Sequence, residues 1–198
     1  MRAGPPGPAV PDRYVEALGG DDPVATMAEA PGRLRRLVRG LTERQLATRP
    51  AAGKWSIREI VAHLADGEVV LGSRYRFVAA MDRPPLPGYD QDAFVANLGV
   101  ARTTTADLID DFAMARAVNL GLLERVDDAA WGRVGLHAER GEESLGGLVT
   151  MYAGHDRIHL DQIETIRTGL FPKARKRAAR KTAAKKRIVG DERRRRIS

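Results

Sequence analysis

The chain has 198 residues, enough for one domain with a substantial core, and no cysteine, which excludes disulfides, thiolate metal ligands and a cysteine nucleophile. Its 33 Lys and Arg against 26 Asp and Glu give a net charge of +7. The excess is local: residues 173–198 hold 13 bases and 2 acids, a balance of +11, whereas residues 1–172 hold 20 bases and 24 acids, a balance of −4.

In chain order, residues 1–12 are rich in Pro and Gly and are predicted to form a flexible leader. The stretch "MRAGPPGPAVPDRY" lacks the apolar region of a secretory signal, and no apolar run approaches the ~18 residues of a membrane span. A cytoplasmic protein without a membrane partner is expected. A first helix is predicted after Asp22, with Pro23 at its first position and Leu34, Leu37, Val38 and Leu41 inward. Pro31-Gly32 is expected to break or kink its early part, because proline gives up a helical hydrogen bond and crowds the preceding turn.

The second helix has the clearest start signal, "KWSIREIVAHLADGE". Ser56 and Glu59 have capping-box spacing, and Trp55 and Ile60 flank it as a hydrophobic staple. Ile57, Val61, Leu64, Leu71, Tyr75 and Val78 then carry one apolar face to about Met81, with His63 at its edge. Gly67, one turn on, is expected to leave room for that imidazole. The prolines of "RPPLPGYDQDAF" bar continuation, and the segment is long enough for a crossover. A third helix is predicted from about Thr105 to Val126, with Leu108, Phe112, Ala115, Asn119 and Leu122 along its seam. The link "WGRVGLHAERGEE" leads to Ser144, the N-cap of a fourth helix. No segment shows strand alternation. The fold class is all-α, a four-helix bundle over residues 13–172 with a long connection between helices two and three.

The fourth helix raises the chemical question. In "LGGLVTMYAGHDRIHLDQI" the inward face reads Leu145, Leu148, Tyr152, His155, His159, Gln162, Ile166. Two imidazoles four residues apart point the same way from adjacent turns, a spacing that lets both bind one cation. The plain alternative is a pair of core histidines, but each unpaired polar group buried there costs ~1–3 kcal/mol. His63 is the natural third ligand. His137, in the link, is a candidate fourth ligand, substrate contact or loop histidine.

Taken together, "RPAAGKWSIREIVAHLADGE", "LPGYDQDAF", "WGRVGLH", "GEESL" and "AGHDRIHLDQI" resemble the DinB-like (YfiT-like) superfamily of metal-binding four-helix bundles, which includes bacillithiol and mycothiol S-transferases. The resemblance covers about Tyr14 to Leu170. It implies an up-down-down-up bundle, often a homodimer, and a metal held by His63 of helix two and His155 and His159 of helix four.

Three neutral imidazoles would leave a divalent ion with open positions, the layout of a catalytic site. Zn and Ni suit imidazole ligands, and Fe and Cu are compatible with them. Such an ion lowers the pKa of bound water or deprotonates a bound thiol. The chain has no cysteine, so the thiol of a transferase has to be a small molecule; with water as nucleophile the same site gives a hydrolase. His137, Arg116 and Asn119 are candidates for contact with substrate, the latter two binding an anionic or polar group. Asp66, Glu68, Asp156 and Asp161 are candidate acceptors for the outer ring nitrogens. Two other classes stand beside the enzyme. One is a non-catalytic bundle that the metal only stabilises. The other is a polyanion-associated protein working through "KARKRAARKTAAKKRIVGDERRRRIS", a tail expected to be disordered and to attract nucleic acid without sequence specificity.

Overall fold

A computed structural model describes residues 10–172; the basic tail and most of the Pro/Gly leader lie outside the described residues. Seven α-helices occur among them: α1 (Asp12–Leu18), α2 (Pro23–Val38), α3 (Glu43–Leu46), α4 (Ile57–Ala80), α5 (Gln91–Asn97), α6 (Thr105–Arg125) and α7 (Leu145–Leu170). The four long ones, α2, α4, α6 and α7, form the bundle.

Their starts follow local chemistry. The Asp22 carboxylate accepts the Ala25 amide ahead of Pro23. Ser56 Oγ accepts the Glu59 amide at 3.3 Å while Glu59 Oε2 accepts the Ser56 amide at 2.7 Å, completing the capping box of α4. Ser144 Oγ takes the Gly147 amide at 3.0 Å to open α7. Of the break or kink expected at Pro31-Gly32, the break does not occur: helix α2 runs through Pro31 as one element. Pro31 withholds an N–H from the Met27 carbonyl, and that carbonyl instead accepts from Arg116 Nη1 at 2.7 Å.

Cross-helix contacts fix the directions. Asp21 pairs with Arg157 and Arg33 with Asp161, so α2 and α7 run parallel. Glu68 meets Arg116 and Gly72 meets Asn119, so α4 and α6 run parallel as well. His63 approaches His159 while Arg74 bonds Tyr152, which makes α4 and α7 antiparallel. Met27 meets Arg116 and Arg35 meets Asp110, which makes α2 and α6 antiparallel. The order is up-down-down-up, and two parallel consecutive helices need the long crossover between α4 and α6.

That crossover is not plain loop. It contains β1 (Pro85–Leu86), α5 and a 3-10 turn, Val100–Arg102. The link before α7 likewise holds β2 (Val134–His137) and β3 (Gly141–Ser144). The three strands form one sheet, β1 parallel to β2 with Leu86 opposite His137, and β2 antiparallel to β3 with His137 opposite Gly141. The expectation of no strands is thereby corrected: elements of two to four residues are too short for alternation to register. Helices α1 and α3 are further additions, α1 docked along α7.

Two apolar clusters make the core. One gathers Ile57, Ile60, Val61, Leu64, Ile109, Phe112, Leu160 and Ile163; the other Met27, Leu71, Tyr75, Val78, Leu123, Trp131, Leu145 and Leu148. On α6 the buried positions are Thr105, Ile109, Phe112, Arg116, Asn119 and Leu123. The predicted seam is therefore rotated, with Leu108, Ala115 and Leu122 only partly buried.

Candidate metal centre

Between the two clusters every bundle helix contributes polar atoms to one layer. Arg116, 2% exposed, places Nη2 2.8 Å from Glu68 Oε2 and Nη1 2.6 Å from Asp156 Oδ2, besides the Met27 carbonyl. Asn119 donates to Glu68 Oε1 at 2.9 Å and to its backbone oxygen at 3.0 Å. Burial pushes the Asp156 carboxyl up to about 6 against the pull of Arg116, since one guanidinium serves two carboxylates. The sequence suggests substrate contact for Arg116 and Asn119. Neither lines the pocket described below, and both are bonded to groups of the layer itself.

Glu68 and Asp156 lie five residues after His63 and one after His155, so the layer fixes the rotation of α4 and α7 that presents those rings. The three imidazoles converge. His63 Nε2 lies 3.0 Å from His155 Nε2, and His159 Nε2 lies 3.1 Å from the same atom. Their potential ligand atoms all fall within 4.8 Å of one another, and among the described residues this is the one cluster of metal-ligating side chains. Nitrogens held at ~2.1 Å from a shared ion, at tetrahedral or right angles, stand about 3.0–3.4 Å apart, the range in which both separations from His155 Nε2 fall.

The protonation states fit too. Burial lowers the pKa of His63 to about 3, assisted by His159. Burial also lowers His155 well below its usual value, with further depression from His159 and His63, and it lowers His159 against the raising effect of Gln162. Three neutral rings offer lone pairs. Gln162 Oε1 sits 3.0 Å from His159 Nδ1, so the ring proton resides there and Nε2 is free as a ligand atom. Three of the carboxylates suggested for this orienting role bond elsewhere: Glu68 and Asp156 bond Arg116, and Asp161 pairs with Arg33 at the surface.

A cavity of about 220 Å³ opens beside His63 and His155, lined also by Arg13, Tyr14, Arg74, Tyr89, His137, Arg140 and Tyr152. His137 is at this cavity and outside the three-histidine cluster. The small sheet carries it there. Gly67, expected to accommodate His63, lies against the Tyr89 hydroxyl instead: a Cβ there would come within 3.2 Å of that oxygen.

Sequence reasoning missed the contribution of α1. A Cβ on Gly154 would stand 2.1 Å from the Tyr14 carbonyl oxygen, so only glycine lets α1 lie on α7 next to His155. Its signal was available, a mid-helix glycine one residue before a histidine. Gly154→Ala is expected to cost about 1–3 kcal/mol by overpacking and, by displacing Tyr14, to raise the protease sensitivity of residues 12–18. Unchanged stability and proteolysis would mean that α1 does not hold this position.

A model of the DinB superfamily matches residues 26–163. A Bacillus mycoides (strain KBAB4) protein, provisionally named a metal-dependent hydrolase, is 25% identical over 148 residues, 74% of this chain and 84% of that one. Among solved structures, YfiT from Bacillus subtilis, described as a four-helix bundle of unusual topology, aligns with a TM-score of 0.71 at 19% identity, covering 84% of this chain and 93% of its own. A mycothiol-dependent maleylpyruvate isomerase aligns with a TM-score of 0.59 at 12% identity over 71% of this chain and 59% of its own. With a family match across most of the bundle, and the fold of YfiT shared over it, the chain belongs to the DinB superfamily.

Proposed function

We propose that the protein is a metal-dependent enzyme acting on a small molecule, with His63, His155 and His159 as the ligands of one divalent ion, Zn or Ni in the first instance. The observation that carries this reading is the convergence of three neutral imidazoles, with the His63 and His159 Nε2 atoms 3.0 and 3.1 Å from that of His155 and all potential ligand atoms within 4.8 Å. A bundle that needed only stability would place leucines there. When bound, the ion supplies Lewis acidity, which turns a coordinated thiol or water into a nucleophile near neutral pH.

The chain's own residues do the rest. Gln162 holds the proton of His159 on Nδ1. Trp55 covers the His63 ring at 5.0 Å between centroids, and Tyr152 and Tyr14 flank His155 at 5.5 and 6.2 Å, limiting water to the cavity side. The electrophile is received in the adjoining cavity, where the nucleophile's new bond forms as the leaving group departs with its electron pair. Relatives named as metal-dependent hydrolases support the metal and the reaction class, and the fold shared with a mycothiol-dependent enzyme supports a small thiol as nucleophile.

The test is spectroscopic. Cobalt-substituted protein titrated with a small thiol is expected to develop a sulfur-to-metal absorption band, because the three histidines leave positions open. A spectrum indifferent to every thiol, with hydrolysis of activated esters intact, would replace the thiol by water.

A further inference from the structure

The far side of the same cavity holds a buried cation without a counter-ion. Arg74 is 2% exposed. Its Nη1 donates to the Tyr152 hydroxyl at 3.1 Å and its Nη2 to the Pro87 carbonyl at 2.6 Å, whereas Nε is buried with no partner. Among the described residues no carboxylate pairs with it. An uncompensated buried guanidinium is costly, so a fold retains one where something else supplies the negative charge.

His137, itself 3% exposed, points to the same place. The Glu139 backbone N–H donates to His137 Nδ1 at 3.2 Å, which leaves the proton of the neutral ring on Nε2. That Nε2–H stands 3.5 Å from Arg74 Nη2. Two donors facing each other cannot bond one another; both are satisfied by one acceptor placed between them. The Tyr152 oxygen already accepts from Arg74, so its own O–H is available as a third donor. The other lining charges do not compensate Arg74. Arg140 is bound to Glu143 at 2.5 and 3.0 Å, and Glu139, the one acid in the lining, makes no ion pair with Arg74. Gly88 keeps the approach open, since even a Cβ there would come no nearer than 3.7 Å to the His137 ring.

We propose that Arg74, His137 and Tyr152 form an oxyanion subsite that binds a carboxylate of the substrate, making the preferred ligand a small anionic thiol. This rests on the function proposed above. Tyr152 spans the two halves, its hydroxyl on Arg74 and its ring beside His155, so a chain of a few atoms links carboxylate to sulfur.

Cobalt protein is titrated with 3-mercaptopropionate and with its neutral isostere, 3-mercaptopropionamide. The acid is expected to bind about 10–100-fold more tightly, the range for hydrogen bonds to a charged group. In Arg74→Met the preference should vanish with metal content unchanged, and Arg74→Lys should keep part of it. Equal binding of acid and amide by the wild type, or a preference that survives in Arg74→Met, overturns the subsite while leaving the metal reading intact. Should Arg74→Met not fold, the wild-type ratio and Arg74→Lys decide. If neither thiol gives a band, the nitrogen-15 signal of Arg74 Nε is followed with propionate and propanamide. A shift with the acid alone supports the subsite and places the failure in the thiol reading; no shift overturns it.

Discussion

Purified His155→Ala is expected to carry less than about a tenth of an ion per chain after dialysis, where the wild type carries about one. His155 is the hub of the cluster, since its Nε2 is the atom that both other rings approach. Its loss leaves two imidazoles, too few to hold a divalent ion against water. His137→Ala is expected to load like the wild type, because His137 lies on the sheet side of the cavity and is oriented by the Glu139 amide. Elemental analysis of the two variants side by side makes the comparison. Equal metal loss in both would mean a closed four-histidine site and a structural ion; full loading of His155→Ala would remove the centre from these residues altogether.

Arg116→Met is expected to lose about 3–5 kcal/mol of stability, the penalty for breaking a buried ion pair from one side. It strands Glu68 and Asp156 without their cation at 1% and 2% side-chain exposure. Chemical denaturation at fixed metal loading gives the number. The pH dependence has a definite sign. Asp156 already has a folded pKa near 6, above its unfolded value, so the native state binds the extra proton; the favourable term is complete below the unfolded pKa and is lost as pH rises. Without Arg116 that pKa rises further. The deficit of Arg116→Met should thus be larger at pH 8 than at pH 5. Adding Glu68→Gln and Asp156→Asn should recover roughly half of it. A deficit below 1 kcal/mol, or one that ignores both pH and the added substitutions, would show that the layer is not an ionic one.

The bundle was legible because its signals are local and periodic. Ser56 with Glu59, Asp22 with Pro23, and Ser144 each mark a helix start that the structure reproduces. The three histidines were legible for a related reason: a four-residue spacing needs only one helix, His63 lies at the edge of the apolar face of another, and the shared family pattern agrees with that choice. The roles of Arg116 and Asn119 were not, because a polar residue on a seam reads the same whether it faces a cavity or a buried carboxylate. Only the side chains of α2, α4 and α7 distinguish the two. The sheet was hidden by its brevity. Helix α1 was hidden because its docking is written in Gly154, more than 130 residues away, and not in its own sequence.

The unbroken passage of α2 through Pro31 has an epistatic consequence. A helix-interior proline is ordinarily a defect worth ~3 kcal/mol, yet here the carbonyl it orphans is an acceptor for Arg116. Each residue makes the other tolerable. If Arg116 is exchanged for an apolar residue, the Met27 carbonyl is left buried with neither a helical nor a side-chain donor. Alanine at position 31 then restores the helical one. Pro31→Ala should accordingly be a modest change in the wild type, where the carbonyl already has a donor, and a larger gain on the Arg116→Met background. Positions 31 and 116, on different helices and 85 residues apart, would constrain one another's mutational paths through a single oxygen atom.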